Sequence, residues 1–173
     1  MNAQSPAGRD PDPIGRPAAF PRLWRIPGHP GTLYAMVALG SLLGGSLRFV
    51  TSEAMLAAFG PGFPWGTLVV NVLGSFLIGL YATLTAPGGR LPPRPALQHL
   101  VMTGFCGGFT TFSIFSLEAL LLFQGGALPQ AALHVGGSVV VWLAAVWAGH
   151  AVATGLNGRG RNRVAPEGTR LGM

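Results

Sequence analysis

The run Gly104-Phe105-Cys106-Gly107-Gly108-Phe109-Thr110-Thr111-Phe112-Ser113-Ile114-Phe115 sets glycines and hydroxyls inside an otherwise apolar segment of membrane length. A helix facing lipid gains nothing from such a run. Glycines beside Thr110 and Thr111 let the backbone leave the helix and turn carbonyl oxygens toward an ion. At membrane depth such backbone survives only where protein or a water-lined cavity shields it. The chemistry these residues offer is therefore ion coordination along a pathway. Asn71, the sole amide in a neighbouring apolar stretch, sits among Val69, Val70, Val72 and Leu73 and carries two N–H donors into a dry place. It has two readings: an interhelical hydrogen bond, worth about 1 kcal/mol in membranes, or a donor to a permeating ion. Ser75, one turn on, extends the polar stripe. Phe112 and Phe115 are three apart and share a helix face. Their ring edges are electropositive and can replace part of a small anion's hydration, although such pairs ordinarily just pack. The neighbouring Thr110, Thr111 and Ser113 favour the anion reading. Arg48 ends the first apolar stretch, where it can snorkel to the interface and raise the local anion concentration.

Other chemistries lack their residues. His29, His99, His134 and His150 have no cysteine or carboxylate at ligand spacing, so no transition-metal site is indicated. Cys106 is the only cysteine, which excludes an intrachain disulfide and leaves it as a small buried hydrophobe. There is no phosphate-binding glycine loop and no nucleophile elbow, so nothing marks an enzyme. Glu118 is the only acid within an apolar stretch as drawn below. Its place late in the third stretch reads as a structural hydrogen bond rather than a proton carrier.

These residues need membrane helices to position them. A chain of 173 residues that is 49% hydrophobic and only 9% charged belongs in a bilayer. A span takes about 20 mostly apolar residues. Four stretches approach this, Leu33 to Val50, Gly66 to Thr85, Ala96 to Phe123 and Leu128 to Thr154, separated by proline- and glycine-rich links. The expected fold is all-α and integral to the membrane: one domain of four helices over 32–155, the third broken at mid-membrane. Residues 1–31, rich in proline and arginine, and 156–173 read as disordered basic tails. The Gly40-to-Gly44 spacing, Gly74, Gly79 and the Gly136-Gly137 pair read as close helix packing. With an even number of spans, both tails and the middle loop share one side. That side holds every arginine except Arg48, so both termini are expected in the cytoplasm. The basic tails lack the aromatic interleaving of a nucleic-acid binder, and attraction to anionic lipid accounts for them.

Three ordered segments, Gly44-Gly45-Ser46-Leu47-Arg48-Phe49, the stretch from Gly66 to Gly79 containing Asn71, and the Gly104–Phe115 run followed by Ser116-Leu117-Glu118, resemble the Fluc/CrcB fluoride channels. The resemblance covers about Leu33 to Thr154. It implies a passive channel that lowers cytoplasmic fluoride, built as an antiparallel, dual-topology dimer. It also implies a structural sodium ion (Na+) at the dimer centre, held by backbone carbonyls that here belong to Gly107 and Thr110. Asn71 then donates to fluoride, and Phe112 and Phe115 present ring edges along the path. Thr111, Ser113 and Ser138 are candidates for a polar track beside them. The chain departs from the family pattern at Ile114, where threonine is common, at His134, where tyrosine is frequent, and at Trp142, where a smaller residue is usual.

An antiparallel homodimer requires one sequence to insert both ways, whereas the arginines here lie almost all on one side. The expectation is one-way insertion and pairing with an oppositely oriented paralogue. A homodimer remains open if the distant tail arginines fall outside the window that governs insertion. Two other classes compete. A small proton-coupled multidrug exporter would need an acid in the first span, and a non-conducting membrane scaffold would use these glycines and aromatics only for packing.

Overall fold

The computed structural model describes residues 30–161, and all regular structure among them is helical. We label the helices α1 (Pro30–Phe59), α2 (Trp65–Leu84), α3 (residues 95–109), α4 (Ser113–Gln124) and α5 (residues 128–161). α1, α2, the α3–α4 pair and α5 make four segments long and apolar enough to cross a membrane. The protein is a multi-pass membrane protein. The sequence-based tails lie mostly outside the described residues.

Local chemistry sets the helix ends. Gly60 and Gly126 follow α1 and α4 in the left-handed region, with φ of 73° and 74°. The Gly60 N–H donates back to the Leu56 carbonyl (2.9 Å). After α4, Gly126 N–H donates to Phe123 O (3.1 Å) and Ala127 N–H to Leu122 O (2.9 Å), a paired arrangement that satisfies the last carbonyls of the helix. Pro95 and Pro129 sit at the starts of α3 and α5, where a missing N–H costs nothing. Within α3 and α5, His99–Cys106 and Leu133–Gly137 adopt the wider i→i+5 turn, a form concentrated at functional positions.

Two glycine-mediated crossings build the bundle. Where α1 meets α3, a Cβ on Gly40 would fall on the Leu100 carbonyl oxygen and one on Gly44 on that of Phe105. From the other side, Cβ atoms on Gly104 and Gly108 would lie 2.7 Å from the carbonyl oxygens of Val37 and Ser41. Two small-xxx-small pairs thus face one another, and the backbones touch. α2 and α5 cross in the same way through Gly79 against the Val146 carbonyl and Gly149 against that of Phe76.

Several sequence-based boundaries shift. α1 runs past Val50 to Phe59, because Thr51, Ser52 and Glu53 satisfy a helical backbone as well as apolar residues do, and only Gly60-Pro61 stops it. Glu53 therefore lies inside the first span, exposed near its end, so Glu118 is not the only acid in a span. The last helix continues to Arg161 instead of ending near Thr154. Asn157 anchors that extension by donating to Thr83 O (3.1 Å) and accepting from Arg90 N–H (2.9 Å). Within this subunit Gly136 has open space beside it, and Gly137 meets only the Leu133 side chain, so this pair does not mediate a close crossing.

The crossings predict that Gly44→Ala and Gly79→Ala each destabilise the detergent-solubilised protein by about 1–3 kcal/mol. Gly155→Ala, on α5 with nothing within 4 Å, leaves stability unchanged. Thermal unfolding followed by size-exclusion chromatography separates the two outcomes.

Candidate ion pathway

Between α3 and α4 the chain leaves the helix. α3 ends at Phe109, Thr110 is extended (φ −82°, ψ 160°), and α4 starts at Ser113. The residue that holds this segment is Asn71 on α2. Its Nδ2 donates to the Thr111 carbonyl (2.9 Å), and its Oδ1 accepts from the Thr111 N–H (2.7 Å). The side-chain amide thus replaces a neighbouring backbone for Thr111, and both groups are buried. One of the two Nδ2 protons remains for another acceptor.

That pairing frees carbonyls. The Thr111 N–H, which would close a helical turn on Gly107, is given to Asn71. The Ile114 N–H, which would close one on Thr110, goes to the Thr111 hydroxyl (3.2 Å). Gly107 and Thr110 are left with carbonyl oxygens relieved of their helical donors, at the end of one helix and before the start of the next. Oxygen dipoles of this kind suit a hard alkali cation. Thr110 keeps its own N–H and hydroxyl on Cys106 O, at 2.9 and 2.8 Å. Its methyl occupies the space that a Cβ on Gly74 would need. The glycine on α2 is therefore a seat for the non-helical segment as well as a packing residue.

The aromatic pair divides. Phe112 and Phe115 stand 5.6 Å apart, yet Phe115 is 5% exposed while Phe112 is 74% exposed. Gly107 and Ser113 are exposed as well. The Thr111 and Ser113 hydroxyls lie 3.3 Å apart. Ser138, on α5, is fully buried, and its hydroxyl has no partner among the described residues. Arg48 is half-buried on α1 and makes none of these hydrogen bonds. The structure thus brings Asn71, Thr111 and Ser113 together around the Thr110–Phe112 segment, and leaves Arg48 apart.

Two partners escaped the sequence reading. Glu118 does make a hydrogen bond, and its donor is Thr67 (2.9 Å), one turn before Asn71 on the same face of α2. His134 is fully buried, with Nε2 3.4 Å from the Phe115 carbonyl and 3.7 Å from Glu118 Oε2. The Phe115 ring packs on His134 and Trp142, each at 4.8 Å between centroids. The available signal was spacing: Thr67 and Asn71 are four apart, as are His134 and Ser138, while Phe115 and Glu118 are three apart.

The family model described as CrcB-like protein, Camphor Resistance (CrcB), matches residues 35–150. The "Fluoride-specific ion channel FluC 1" of Bradyrhizobium diazoefficiens is 52% identical over 125 residues, covering 72% of this chain and 87% of the relative. The "Fluoride-specific ion channel FluC" of Opitutus terrae is 53% identical over 126 residues, 73% of this chain and 96% of that protein. The protein of the same name from Paramagnetospirillum magneticum is 52% identical over 124 residues, 72% and 97% of the two chains. The matched region contains both glycine crossings, Asn71 and the whole Thr110–Phe112 segment. A family match across all four spans, together with relatives identical at half of the aligned positions, shows that this chain belongs to the CrcB family, a family of ion channels and not of enzymes.

Proposed function

We propose that this protein is a fluoride-selective passive channel that lets cytoplasmic fluoride leave down its electrochemical gradient and so lowers its toxicity. The observation that carries the reading is the buried Asn71 amide. Its pairing with Thr111 uses one Nδ2 proton and one lone pair of Oδ1 on backbone, and leaves the second Nδ2 proton for an anion. Donors and ring edges fixed in a dry site replace the hydration of a small anion and fit a larger one poorly. Fluoride enters cells as its neutral acid and dissociates at the higher internal pH, so selective leakage of the anion needs no energy coupling. A proton-coupled exporter finds less support. Glu53 lies in the first span, but at its exposed end.

A single subunit leaves this pathway open, because Phe112 and Ser113 face outward. An antiparallel dimer would cover them. In that dimer the freed Gly107 and Thr110 carbonyls of both subunits would hold a sodium ion at the centre, which neutralises oxygen dipoles that otherwise face one another. The arginine distribution favours one orientation in a bacterial plasma membrane, with both termini cytoplasmic. The partner is then an oppositely oriented paralogue, and a homodimer forms only if the chain inserts both ways.

Three measurements test this reading. In liposomes, the protein with its partner subunit is expected to release fluoride and retain chloride. Phe112→Ile, at a position 74% exposed in the subunit, slows fluoride release about tenfold, the equivalent of losing one favourable ring contact. No fluoride release by well-folded protein would overturn the channel. Asn71→Ala strips two buried backbone groups of their partners at about 1–3 kcal/mol each, so it lowers thermal stability as well as efflux, whereas Phe112→Ile lowers efflux alone. Replacing sodium by a bulky organic cation lowers the melting temperature if the carbonyl site is occupied; an unchanged value removes the ion from the account. For topology, a C-terminal reporter on the chain expressed alone should signal only from the cytoplasm, and signal from both sides would sink one-way insertion.

A further inference from the structure

A cavity of about 520 Å³ lies between the last turns of α1, the link that follows it and α4. That volume suits a small organic molecule. Most of its walls are apolar. Met55 and Leu56 come from α1, and Leu121 and Leu122 from α4. Phe63 and Trp65, with ring centroids 4.9 Å apart, add an aromatic wall. Two acids, Glu53 and Glu118, share this lining, and no arginine or histidine among the described residues joins them.

The two acids differ in what they already hold. Glu53 is exposed. The Glu118 side chain is only 27% exposed, and its Oε1 accepts from the Thr67 hydroxyl at 2.9 Å. Its Oε2 is buried and has no hydrogen-bond partner among the described residues. His134 Nε2, 3.7 Å away, is beyond hydrogen-bond reach and faces the Phe115 carbonyl instead. A buried carboxylate oxygen without a donor is costly, and a cationic N–H is the strongest donor it can receive.

Chemistry separates the possible occupants. A metal ion is a poor match, because among the described residues no group of three His, Cys, Asp or Glu side chains is placed to hold one. An acyl chain satisfies the leucines and leaves both acids unanswered. A hydrophobic primary amine satisfies all of the lining: its ammonium brings three donors, its hydrocarbon covers the aliphatic wall, and an indole face attracts a cation.

We propose that this cavity is a binding site for a hydrophobic primary amine, with the ammonium on Glu118 Oε2, Glu53 adding attraction and the hydrocarbon body against Leu56, Leu121 and Leu122. Such binding goes beyond fluoride conduction and does not depend on it. Thr67, on the same lining, is one helical turn before Asn71, so the occupant sits beside the Asn71–Thr111 pair.

The test uses the full-length protein labelled with 15N-tryptophan in detergent micelles at fixed pH, with the Trp65 indole resonance identified by its absence from Trp65→Phe. Cyclohexylamine is the probe, and cyclohexanol, of similar shape without the charge, is the control. Cyclohexylamine is expected to move the Trp65 resonance saturably and leave that of Trp147, outside the cavity, in place. Cyclohexanol should bind at least tenfold more weakly, the cost of losing a hydrogen bond to a charge. Glu118→Gln keeps an oxygen for Thr67 and should weaken amine binding by about the same factor, while the exposed Glu53→Gln weakens it roughly threefold. A Trp65 resonance indifferent to the amine overturns the proposal. So does cyclohexanol binding as tightly as the amine, which would mark the cavity as a seat for a lipid chain, or amine affinity unchanged in both variants. If the protein releases no fluoride while Trp65 still responds in this acid-dependent way, the channel reading falls and the amine site stands.

Discussion

The two hydrogen bonds between Asn71 and Thr111 are the constraint from which the centre of the molecule follows. In hydrocarbon, a backbone N–H and C=O without partners would drive the chain back into a helix. An amide side chain is the one uncharged group that offers a donor and an acceptor with peptide geometry. Placed on the adjacent helix, it lets the chain leave the helix at Thr110 and rejoin it at Ser113. Once Thr111 is held, the Ile114 N–H turns to the Thr111 hydroxyl, α4 begins, and the carbonyls of Gly107 and Thr110 lose the donors that a continuous helix would have supplied. A valine at position 71 could do neither part of this work.

The glycines serve the same end at the scale of whole helices. Asn71 reaches Thr111 at hydrogen-bond distance only if α2 lies close to the α3–α4 link. Gly74 makes that approach possible by leaving room for the Thr110 methyl. The crossings of α1 with α3 and of α2 with α5 are tight for the same reason, since lipid tails are as apolar as leucine and close backbone contact is what draws helices together. Large side chains are correspondingly turned outward. Leu42, Phe49, Val140, Leu143 and Trp147 are all exposed, as lipid permits.

Polar groups in this bundle occur in register across helices. Thr67 and Asn71 on α2 face Glu118 and Thr111 on the third span, while His134, Ser138 and Trp142 on α5 surround Phe115 from the other side. Phe115 is therefore the aromatic floor between two polar columns, buried on both flanks. Phe112, three residues before it, faces away from the subunit. The pair that looks equivalent in the sequence is divided between an internal surface and an external one.

Composition and spacing were enough to read a membrane protein of four spans and to single out Asn71 and the glycine- and hydroxyl-rich run around Thr110, because each depends on local preference: apolar length, an isolated amide, glycines beside hydroxyls. The Gly40–Gly44 crossing was legible for the same reason. Helix ends at Phe59 and Arg161 were not, since a helical backbone continues through polar residues until a glycine turn or proline stops it, and Asn157 is held by distant Thr83 and Arg90. Whether Gly136 and Gly137 meet a neighbour, which phenylalanine is buried, that Glu118 bonds to Thr67 and that three polar atoms on α5 find no partner among the described residues were decided by how the helices rotate about their axes. That rotation is a property of the packed bundle. Sequence periodicity marks a polar stripe along a helix, and only the tertiary arrangement determines what lies opposite it.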